Sequence, residues 1–319
     1  MISTANLKLP VDEFHARGKS LERWNMLRKI LTPEGLFIYD RHTGLCLFTP
    51  DVRSRRWIKP LYAQIALTNR CNLSCWFCYN RSSPESNLEW RLDDLKQLIS
   101  FLDSWGLFGV SFGGGEPFLY PHLAEIARHA WEETGLDVSL TTNGLAASNS
   151  KIAKVERFVS EVRVSVRDKA SLASLRRFIG RRFEVGVNLL LFRGVRLNWL
   201  IEEALKLGVN DFLINSFVAV GGSSAEEPAA PDFAELAETI RRYEGEASFK
   251  VSSRIAEALK KHISGLVPFV GEGRGRVIAV TADRKIKLSS LSEVGLPFTS
   301  CGEIPRLYNN LVGGSVYEA

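Results

Sequence analysis

Residues 61–80 read LYAQIALTNRCNLSCWFCYN, a short apolar run followed by a loop with three of the chain's five cysteines. The run LYAQIALT has the length and composition of a buried β-strand. Cys71, Cys75 and Cys78 follow it directly with the spacing C-x3-C-x2-C. The segment therefore predicts a strand whose carboxyl end carries a group of thiols.

The same order of an apolar run and a helical pattern recurs along the chain after residue 60. Strand-length runs occur at 61–68, 107–112, 136–141, 161–166, 183–192 and 210–217. Helix-patterned segments lie between them near 91–104, 121–134, 150–159, 171–181 and 198–207. Strands this apolar have no face suited to water, so the pattern predicts a parallel sheet covered by helices.

Polar or glycine-rich segments follow the first five strand-like runs. The cysteines follow the first run, GGGEP the second, TNG the third, RD the fourth and RG the fifth. A barrel brings these carboxyl ends into one mouth, whereas an open doubly wound sheet spreads them along an edge. We therefore expect an α/β fold with a partial (β/α)6 TIM-type barrel over residues 61–220.

Two shorter parts flank the predicted barrel. Residues 1–60 combine an amphipathic helical pattern at 18–32 with a hairpin pattern at 35–50. Residues 221–319 begin with a loop rich in Gly, Ser, Ala and Pro at 221–232 and continue with helical stretches and a second hairpin pattern. The helical stretches are 233–244 and 253–264, and the hairpin joins RVIAV to KIKLSS.

Composition excludes several classes of protein. The chain has 319 residues, is 45% hydrophobic, and has no apolar stretch long enough for a membrane helix. Acidic residues near the N-terminus do not suit a signal peptide, so we expect a cytoplasmic protein without disulfides. Residues 1–60 hold 11 Lys and Arg against 6 Asp and Glu. A solvated helix face explains this excess, and we do not expect a nucleic acid partner, although a patch for an acidic partner is the alternative.

The cysteine spacing favours an iron–sulfur cluster over structural zinc. Three thiolates from one loop can bind three corners of a cubane and leave the fourth iron open. Zinc would need a fourth protein ligand, usually from a second Cys or His pair. Cys46 and Cys301 are isolated, and no His stands in a C-x-x-H arrangement. We expect these two cysteines to act as small apolar residues.

The cysteine loop resembles that of the radical SAM superfamily. Its C-x3-C-x-aromatic-C form is matched by Cys71, Cys75, Phe77 and Cys78. The surrounding sequence resembles the branch that contains molybdopterin-precursor synthases, haem-pathway enzymes and SPASM or twitch peptide maturases. The resemblance implies that Phe77 lies near the adenine of S-adenosylmethionine (SAM).

GGGEP at residues 113–117 is the second element of the resemblance. Gly114 and Gly115 lack a Cβ, so their backbone can approach a ligand closely, and Glu116 can accept hydrogen bonds from an ammonium group. The family resemblance assigns that ammonium group to the methionyl amine of SAM. A glycine-rich turn alone is weak evidence, but this one stands in the strand–helix unit after the cysteine loop.

Three further residues resemble family positions that contact SAM. Asn143 lies in the TNG of the third strand, Ser165 resembles the residue of the fourth strand near the SAM carboxylate or ribose, and Asn188 resembles the polar fifth-strand position near the ribose. Each residue also has a structural explanation as a turn or helix-capping residue. The fourth strand departs from the common S-x-D form, because Arg167 stands where Asp is frequent and Asp168 follows it.

The C-terminal part resembles the start of a SPASM or twitch extension without its cysteines. The expected ligand positions hold Val270 and Ser289 or Ser290. Because the one nearby thiol, Cys301, cannot hold a cubane, we expect a degenerate extension without an auxiliary cluster.

The resemblance implies an enzyme with one 4Fe-4S cluster that cleaves SAM reductively and abstracts hydrogen from a substrate. It also implies an external one-electron donor of the flavodoxin or ferredoxin type. The substrate remains open among a peptide or protein, a tetrapyrrole and a small metabolite. The alternative function is a non-catalytic iron–sulfur or zinc protein that serves as a sensor or scaffold.

Overall fold

The computed structural model describes residues 27–32, 35–40, 46–50, 59–218, 230–263, 269–270 and 276–314. The chain divides into two compact units, Met1–Arg56 and Trp57–Ala319. Within the described ranges, every helix is too short or too polar to cross a membrane.

The N-terminal unit contains a three-stranded antiparallel sheet with strands in sequence order. Its strands are β1 (Leu27–Thr32), β2 (Gly35–Asp40) and β3 (Cys46–Pro50). Strands β2 and β3 confirm the hairpin predicted at 35–50.

The helix predicted at 18–32 is wrong over its last six residues, which form β1. Each of these residues pairs with β2, from Leu27 opposite Asp40 to Thr32 opposite Gly35. Pairing with an apolar strand thus overrides the helical spacing of the leucines. Residues 18–26 lie outside the described residues.

The larger unit contains the six predicted strand–helix units. Its first strands are β4 (Tyr62–Thr68), β5 (Gly109–Gly114), β6 (Asp137–Thr142), β7 (Glu161–Ser165), β8 (Glu184–Leu191) and β9 (Asp211–Ser216). Each is parallel to the next. The helices between them are α1 (Leu92–Trp105), α2 (Leu123–Glu133), α3 (Asn149–Val155), α4 (Lys169–Leu175) and α5 (Leu197–Lys206).

The two faces of this sheet differ in polarity. The face that packs against the helices carries buried apolar side chains such as Ile65, Phe112 and Leu140. The opposite face, which we call the inner face, carries residues one position away along each strand. Its polar members include Ser111, Thr141, Arg163, Ser165, Asn188 and Asp211. The barrel therefore has an apolar outer layer and a polar interior.

The C-terminal residues extend the sheet at both sides. They form α6 (Ala230–Tyr243), β10 (Ser248–Ser252), α7 (Ser253–Leu259), β11 (Phe269–Val270), β12 (Val277–Val280), β13 (Lys285–Lys287), β14 (Leu296–Pro297) and α8 (Ile304–Gly314). The sheet has 11 strands in the order β11-β10-β9-β8-β7-β6-β5-β4-β12-β13-β14. Because β11 and β14 end it, the described sheet is a partial barrel.

Three parallel strands of this sheet were not among the six predicted. Strand β10 pairs with β9, β11 pairs with β10, and β12 pairs with β4. The predicted hairpin is confirmed, since β12 and β13 are antiparallel. The loop predicted at 221–232 is wrong over 230–232, where α6 begins with Pro231 in its first turn, a position that proline tolerates. Residues 221–229 lie outside the described residues.

Candidate functional site

The cysteine loop, residues 69–90, joins β4 to α1 and carries its three cysteines near its start. Backbone hydrogen bonds hold it in place. The amide of Cys71 donates to the carbonyl of Ser83 (3.0 Å), and the amide of Trp90 donates to the carbonyl of Leu67 (3.1 Å). The loop therefore folds back on the carboxyl end of the first barrel strand, and Cys71 is 8% exposed there.

The three thiols have the chemistry that iron–sulfur ligation needs. Cys71, Cys75 and Cys78 are free of disulfides. The Asn143 Nδ2 atom lies 3.6 Å from Cys71 Sγ, and the Ser82 backbone nitrogen lies 3.5 Å from Cys78 Sγ. Burial raises the pKa of the Cys71 and Cys75 thiols, and the charge of neighbouring thiolates raises it further. Iron would reverse this effect, because a thiol coordinates metal as the thiolate.

Single-ion sites have a different geometry from a cubane site. Among the residues that the structure describes, no three His, Cys, Asp or Glu side chains are grouped as ligands of one metal ion. The thiolates of a cubane each bind a separate iron atom. The fit to a cubane therefore rests on the donors themselves, three free thiols on one loop with N–H groups beside two of their sulfurs.

The glycine-rich turn after β5 passes directly against the cysteine loop. Gly114 has a φ of +111°, a conformation that side chains other than glycine rarely adopt. A Cβ on Gly115 would lie 2.1 Å from the carbonyl oxygen of Arg70. The amide of Gly115 donates to the carbonyl of Thr68 (2.6 Å). The close approach that these glycines permit is therefore to the chain's own backbone.

Glu116 is the centre of the polar contacts beside the cysteine loop. Its side chain is fully buried. Oε1 accepts from the amide of Phe118 (3.0 Å) and from Thr142 Oγ1 (2.7 Å), and Oε2 accepts from the amide of Asn143 (2.8 Å). Burial raises the pKa of this carboxyl, and the three donors and the Lys151 ammonium partly offset that effect. A carboxylate has about four acceptor positions, and these three contacts from the described residues fill three of them.

Thr142 belongs to this arrangement but was left out of the predicted site residues. Its hydroxyl donates to Glu116 and accepts from the amide of Gly144 (2.9 Å). The signal was its position before Asn143 at the end of a strand. The sequence alone does not show that a carboxylate 26 residues earlier faces this hydroxyl.

Both polar atoms of the Asn143 side chain form hydrogen bonds with other residues of the protein. Its Nδ2 atom donates to Asn72 Oδ1 (2.9 Å) and faces the sulfur of Cys71, while its Oδ1 atom accepts from the amide of Leu145 (2.9 Å). The structure thus brings Asn143 to the cysteine loop, where it ties the end of β6 to a predicted cluster ligand.

Ser165 and Asn188 lie side by side on the inner face. They are paired residues of β7 and β8. The Asn188 Oδ1 atom accepts a hydrogen bond from Nε of Arg163 (2.7 Å). Arg163 is 9% exposed. Burial lowers the pKa of its guanidinium, but Glu161 and Asp211 outweigh this effect and raise the pKa above its ordinary value.

Phe77 lies in an aromatic group at the end of the barrel. Trp76 contacts the Phe77 ring edge-to-face with ring centres 4.9 Å apart. It also contacts Phe192, which follows β8, and Phe217, which follows β9, at 5.4 and 5.6 Å. Trp76 itself is half exposed. Phe77 is therefore held at the same end of the barrel as the last residues of β8 and β9.

The residues that depart from the family pattern have identifiable contacts. Asp168 caps the amino end of α4, where its carboxylate accepts from the amide of Ser171 (2.8 Å). Burial raises the pKa of Cys75, and the nearby Arg167 guanidinium partly offsets this effect. Arg167 and Asp168 therefore both lie within electrostatic range of a predicted cluster ligand, with opposite effects on its pKa, and Asp168 also caps α4.

The C-terminal part contacts the cysteine loop at Trp90, whose ring centre lies 5.2 Å from Arg284 Cζ and 6.2 Å from the centre of the Phe298 ring. Ser289 and Ser290, the expected ligand positions, lie in the turn after β13. Ser289 Oγ lies 3.0 Å from Ser292 Oγ, so this turn is held by its own hydroxyl groups. Cys301 is partly buried against the apolar core.

A parallel partial barrel with this cysteine loop on its first strand and a Gly-Glu turn on its second defines an enzyme class. The chain belongs to the radical SAM superfamily, whose family model matches residues 65–227. Enzymes of this superfamily use a 4Fe-4S cluster and SAM, and they need a reductant and a substrate.

Curated relatives match the chain over a part of their length. GTP 3',8-cyclase of Chlorobaculum tepidum is 34% identical over 106 residues, which are 33% of this chain and 32% of that protein. PqqA peptide cyclase of Rhodopseudomonas palustris is 37% identical over 95 residues, which are 30% of this chain and 25% of that protein. The chain thus matches about a third or less of the length of these two relatives.

The crystal structure of SuiB from Streptococcus suis bound to its precursor peptide SuiA resembles this chain over a longer range. The TM-score is 0.71, with 92% of this chain and 90% of SuiB covered. The sequences are 13% identical. This likeness shows a shared fold, including the extension after the barrel.

Proposed function

We propose that the chain holds one 4Fe-4S cluster on Cys71, Cys75 and Cys78, binds SAM beside it and cleaves SAM reductively to abstract hydrogen from a substrate. One observation carries the proposal. The cysteine loop contacts the end of β6 through Asn143 and the turn after β5 through Gly115, so its first thiol lies beside the buried carboxylate of Glu116.

The chain's own residues bind and orient the reactants in this proposal. When bound, the reduced cluster supplies one electron that splits SAM into methionine and a deoxyadenosyl radical. Glu116 accepts from the methionyl amine at its fourth acceptor position, with Gly114 and Gly115 beside it. Ser165 faces the SAM carboxylate or ribose and Asn188 faces the ribose, both from the inner face, and Phe77 lies near the adenine. Apolar side chains at the barrel end exclude water.

The electron donor in this proposal is a separate flavodoxin-like or ferredoxin-like protein. The substrate class stays open among a peptide or protein, a tetrapyrrole and a small metabolite, because the relatives named above include both a nucleotide cyclase and a peptide cyclase. We also propose the division into an N-terminal extension at 1–60, a barrel at 61–220 and a C-terminal extension at 221–319 without an auxiliary cluster.

The test is anaerobic reconstitution with iron and sulfide, followed by SAM and dithionite. We expect a loaded cluster and release of methionine and 5'-deoxyadenosine, measured by chromatography with mass detection. A non-catalytic scaffold would load the cluster and release neither product. Zinc in a complete tetrahedral shell would contradict the iron assignment.

Variants separate the cluster ligands from other residues. Cys75→Ala is expected to abolish iron binding as a cubane, whereas Cys301→Ala, a free thiol outside the loop, is expected to retain it. Glu116→Gln keeps the size of the side chain but replaces one acceptor oxygen by an NH2 group, so we expect retained iron and weaker SAM binding. Unchanged iron content in Cys75→Ala would refute the ligand assignment.

A further inference from the structure

The inner face of the barrel holds an ionic network that the proposed chemistry does not use. Arg163 donates to Glu161 and Asn188 and lies 3.3 Å from Asp211 Oδ2. Lys250 Nζ pairs with the same Asp211 oxygen at 3.0 Å. These residues come from four neighbouring strands of the described sheet, β7, β8, β9 and β10. Two cations and two carboxylates balance each other, so the network adds no net charge to the interior.

The network fixes which way the amide of Asn188 points. A guanidinium has five N–H donors and no acceptor. The Asn188 atom 2.7 Å from Nε of Arg163 must therefore be the oxygen. The NH2 group then faces away from Arg163, and it donates to no acceptor among the described residues. The NH2 group of Asn188 is thus available to donate a hydrogen bond to a ligand in the barrel interior.

We propose that Arg163 is a positioning residue for SAM, which locks the Asn188 amide with its NH2 group directed at an acceptor oxygen of the ribose. This inference rests on the proposed function, because it assumes that SAM binds on the inner face near the carboxyl ends of β7 and β8. Arg163 itself does not touch SAM. Ser165, paired with Asn188 across the two strands, completes the polar edge presented to the ligand.

Gly186 makes room for this arrangement. It lies opposite Arg163 in the pairing of β7 with β8. A Cβ at Gly186 would lie 2.6 Å from Nη1 and 2.7 Å from Cζ of Arg163. The guanidinium therefore occupies the space that a Cβ at this position would need, so any larger residue would displace it. Because the flexible end of Arg163 is what would move, Gly186→Ala shifts the guanidinium and keeps its charge.

The experiment is a double-mutant cycle on the dissociation constant of SAM. The constant is measured by anaerobic equilibrium dialysis on cluster-loaded protein without reductant, so no turnover occurs. Arg163→Met and Asn188→Ala are each expected to weaken SAM binding roughly fivefold, the worth of one hydrogen bond. Because Arg163 acts through Asn188, the double variant is expected to bind SAM as Asn188→Ala does. Separate effects that multiply in the double variant would overturn the inference.

Gly186→Ala provides a second route if Arg163→Met does not fold. It is expected to weaken SAM binding in the wild-type background and to have no further effect in Asn188→Ala. Lys250→Met is the matched control, because it removes a cation of the network that does not contact Asn188, and its SAM dissociation constant is expected to be unchanged.

The outcomes distinguish a failure of the proposed function from a failure of the positioning role of Arg163. Wild-type protein that holds its cluster without binding SAM would overturn the proposed function and this inference together. Wild-type protein that binds SAM, with Arg163→Met and Gly186→Ala binding it equally well, would overturn the inference alone.

Discussion

The two halves of the barrel hold their polar groups by different means. In the half formed by β4, β5 and β6, backbone hydrogen bonds join the turn after β5 to the cysteine loop: the amide of Gly115 donates to the carbonyl of Thr68, and the amide of Glu116 donates to that of Arg70. In the half formed by β7 to β10, side chains make the contacts, with Arg163 at the centre.

This difference predicts how each half responds to substitution. Backbone contacts require the absence of a Cβ, so the first half is sensitive to added volume. Buried side-chain ion pairs require that every partner be present, so the second half is sensitive to removed charge. The following variants test that contrast.

Arg163→Met is expected to have the largest effect on stability. It removes the cation that Glu161 and Asp211 share, although Asp211 keeps Lys250 and the two carboxylates are 33% and 29% exposed. We therefore expect a cost in the lower half of the range of about 3–5 kcal/mol for breaking a buried ion pair. Denaturant unfolding of the cluster-loaded protein measures this loss. Arg128→Met, which breaks an exposed pair with Glu132, is the control and is expected to cost about 0.5 kcal/mol. Equal losses for the two variants would show that burial of Arg163 has no energetic weight.

Gly115→Ala is expected to have the next largest effect. A Cβ placed 2.1 Å from a carbonyl oxygen forces the backbone of the turn or of the cysteine loop to move. Overpacking of this kind costs about 3 kcal/mol. Loss of bound iron together with loss of unfolding free energy is the expected result. Gly245→Ala, where an added Cβ meets nothing within 4 Å, is expected to keep both.

The contrast between the two halves of the barrel also explains which parts of the site could be predicted from the sequence. The cysteine spacing and GGGEP are local patterns, so they indicated the first half of the site residue by residue. The six strand–helix units were also predictable, because each is a continuous apolar run of ordinary length. The sequence did not show that the glycines approach the chain's own backbone, since that depends on how the turn after β5 meets the cysteine loop.

The network of the second half was not predictable in the same way. Ser165 and Asn188 were identified by resemblance, but Arg163, Asp211 and Lys250 lie far apart in sequence and carry no motif. Their contact depends on the register of β7 with β8 and on β10, a strand that was not predicted. The short alternating sequence SFKVS of β10 resembles many exposed segments, and pairing with β9 is what makes it a strand.

Thr142→Val tests a side-chain contact of the first half, between the end of β6 and the turn after β5. The substitution keeps the shape of the side chain but removes the hydroxyl that donates to Glu116 and accepts from Gly144. Leaving buried polar groups without a partner costs about 1–3 kcal/mol, so we expect a loss near 2 kcal/mol in unfolding free energy. Thr239→Val is the matched control, because the buried Thr239 hydroxyl donates only within its own helix to the carbonyl of Glu235. A smaller loss for Thr142→Val than for Thr239→Val would contradict the central place of Glu116.

Lys250→Met is expected to have the smallest effect, although Lys250 pairs with the same carboxylate as Arg163. The Lys250 side chain is 40% exposed, against 11% for Arg163, so water already screens its charge. Exposed pairs contribute about 0–1 kcal/mol, and Asp211 keeps Arg163 as its partner, so we expect a loss of about 0.5 kcal/mol in denaturant unfolding. A loss as large as that of Arg163→Met would show that Asp211 depends on both cations equally, and the contrast between buried and exposed members of the network would then fail.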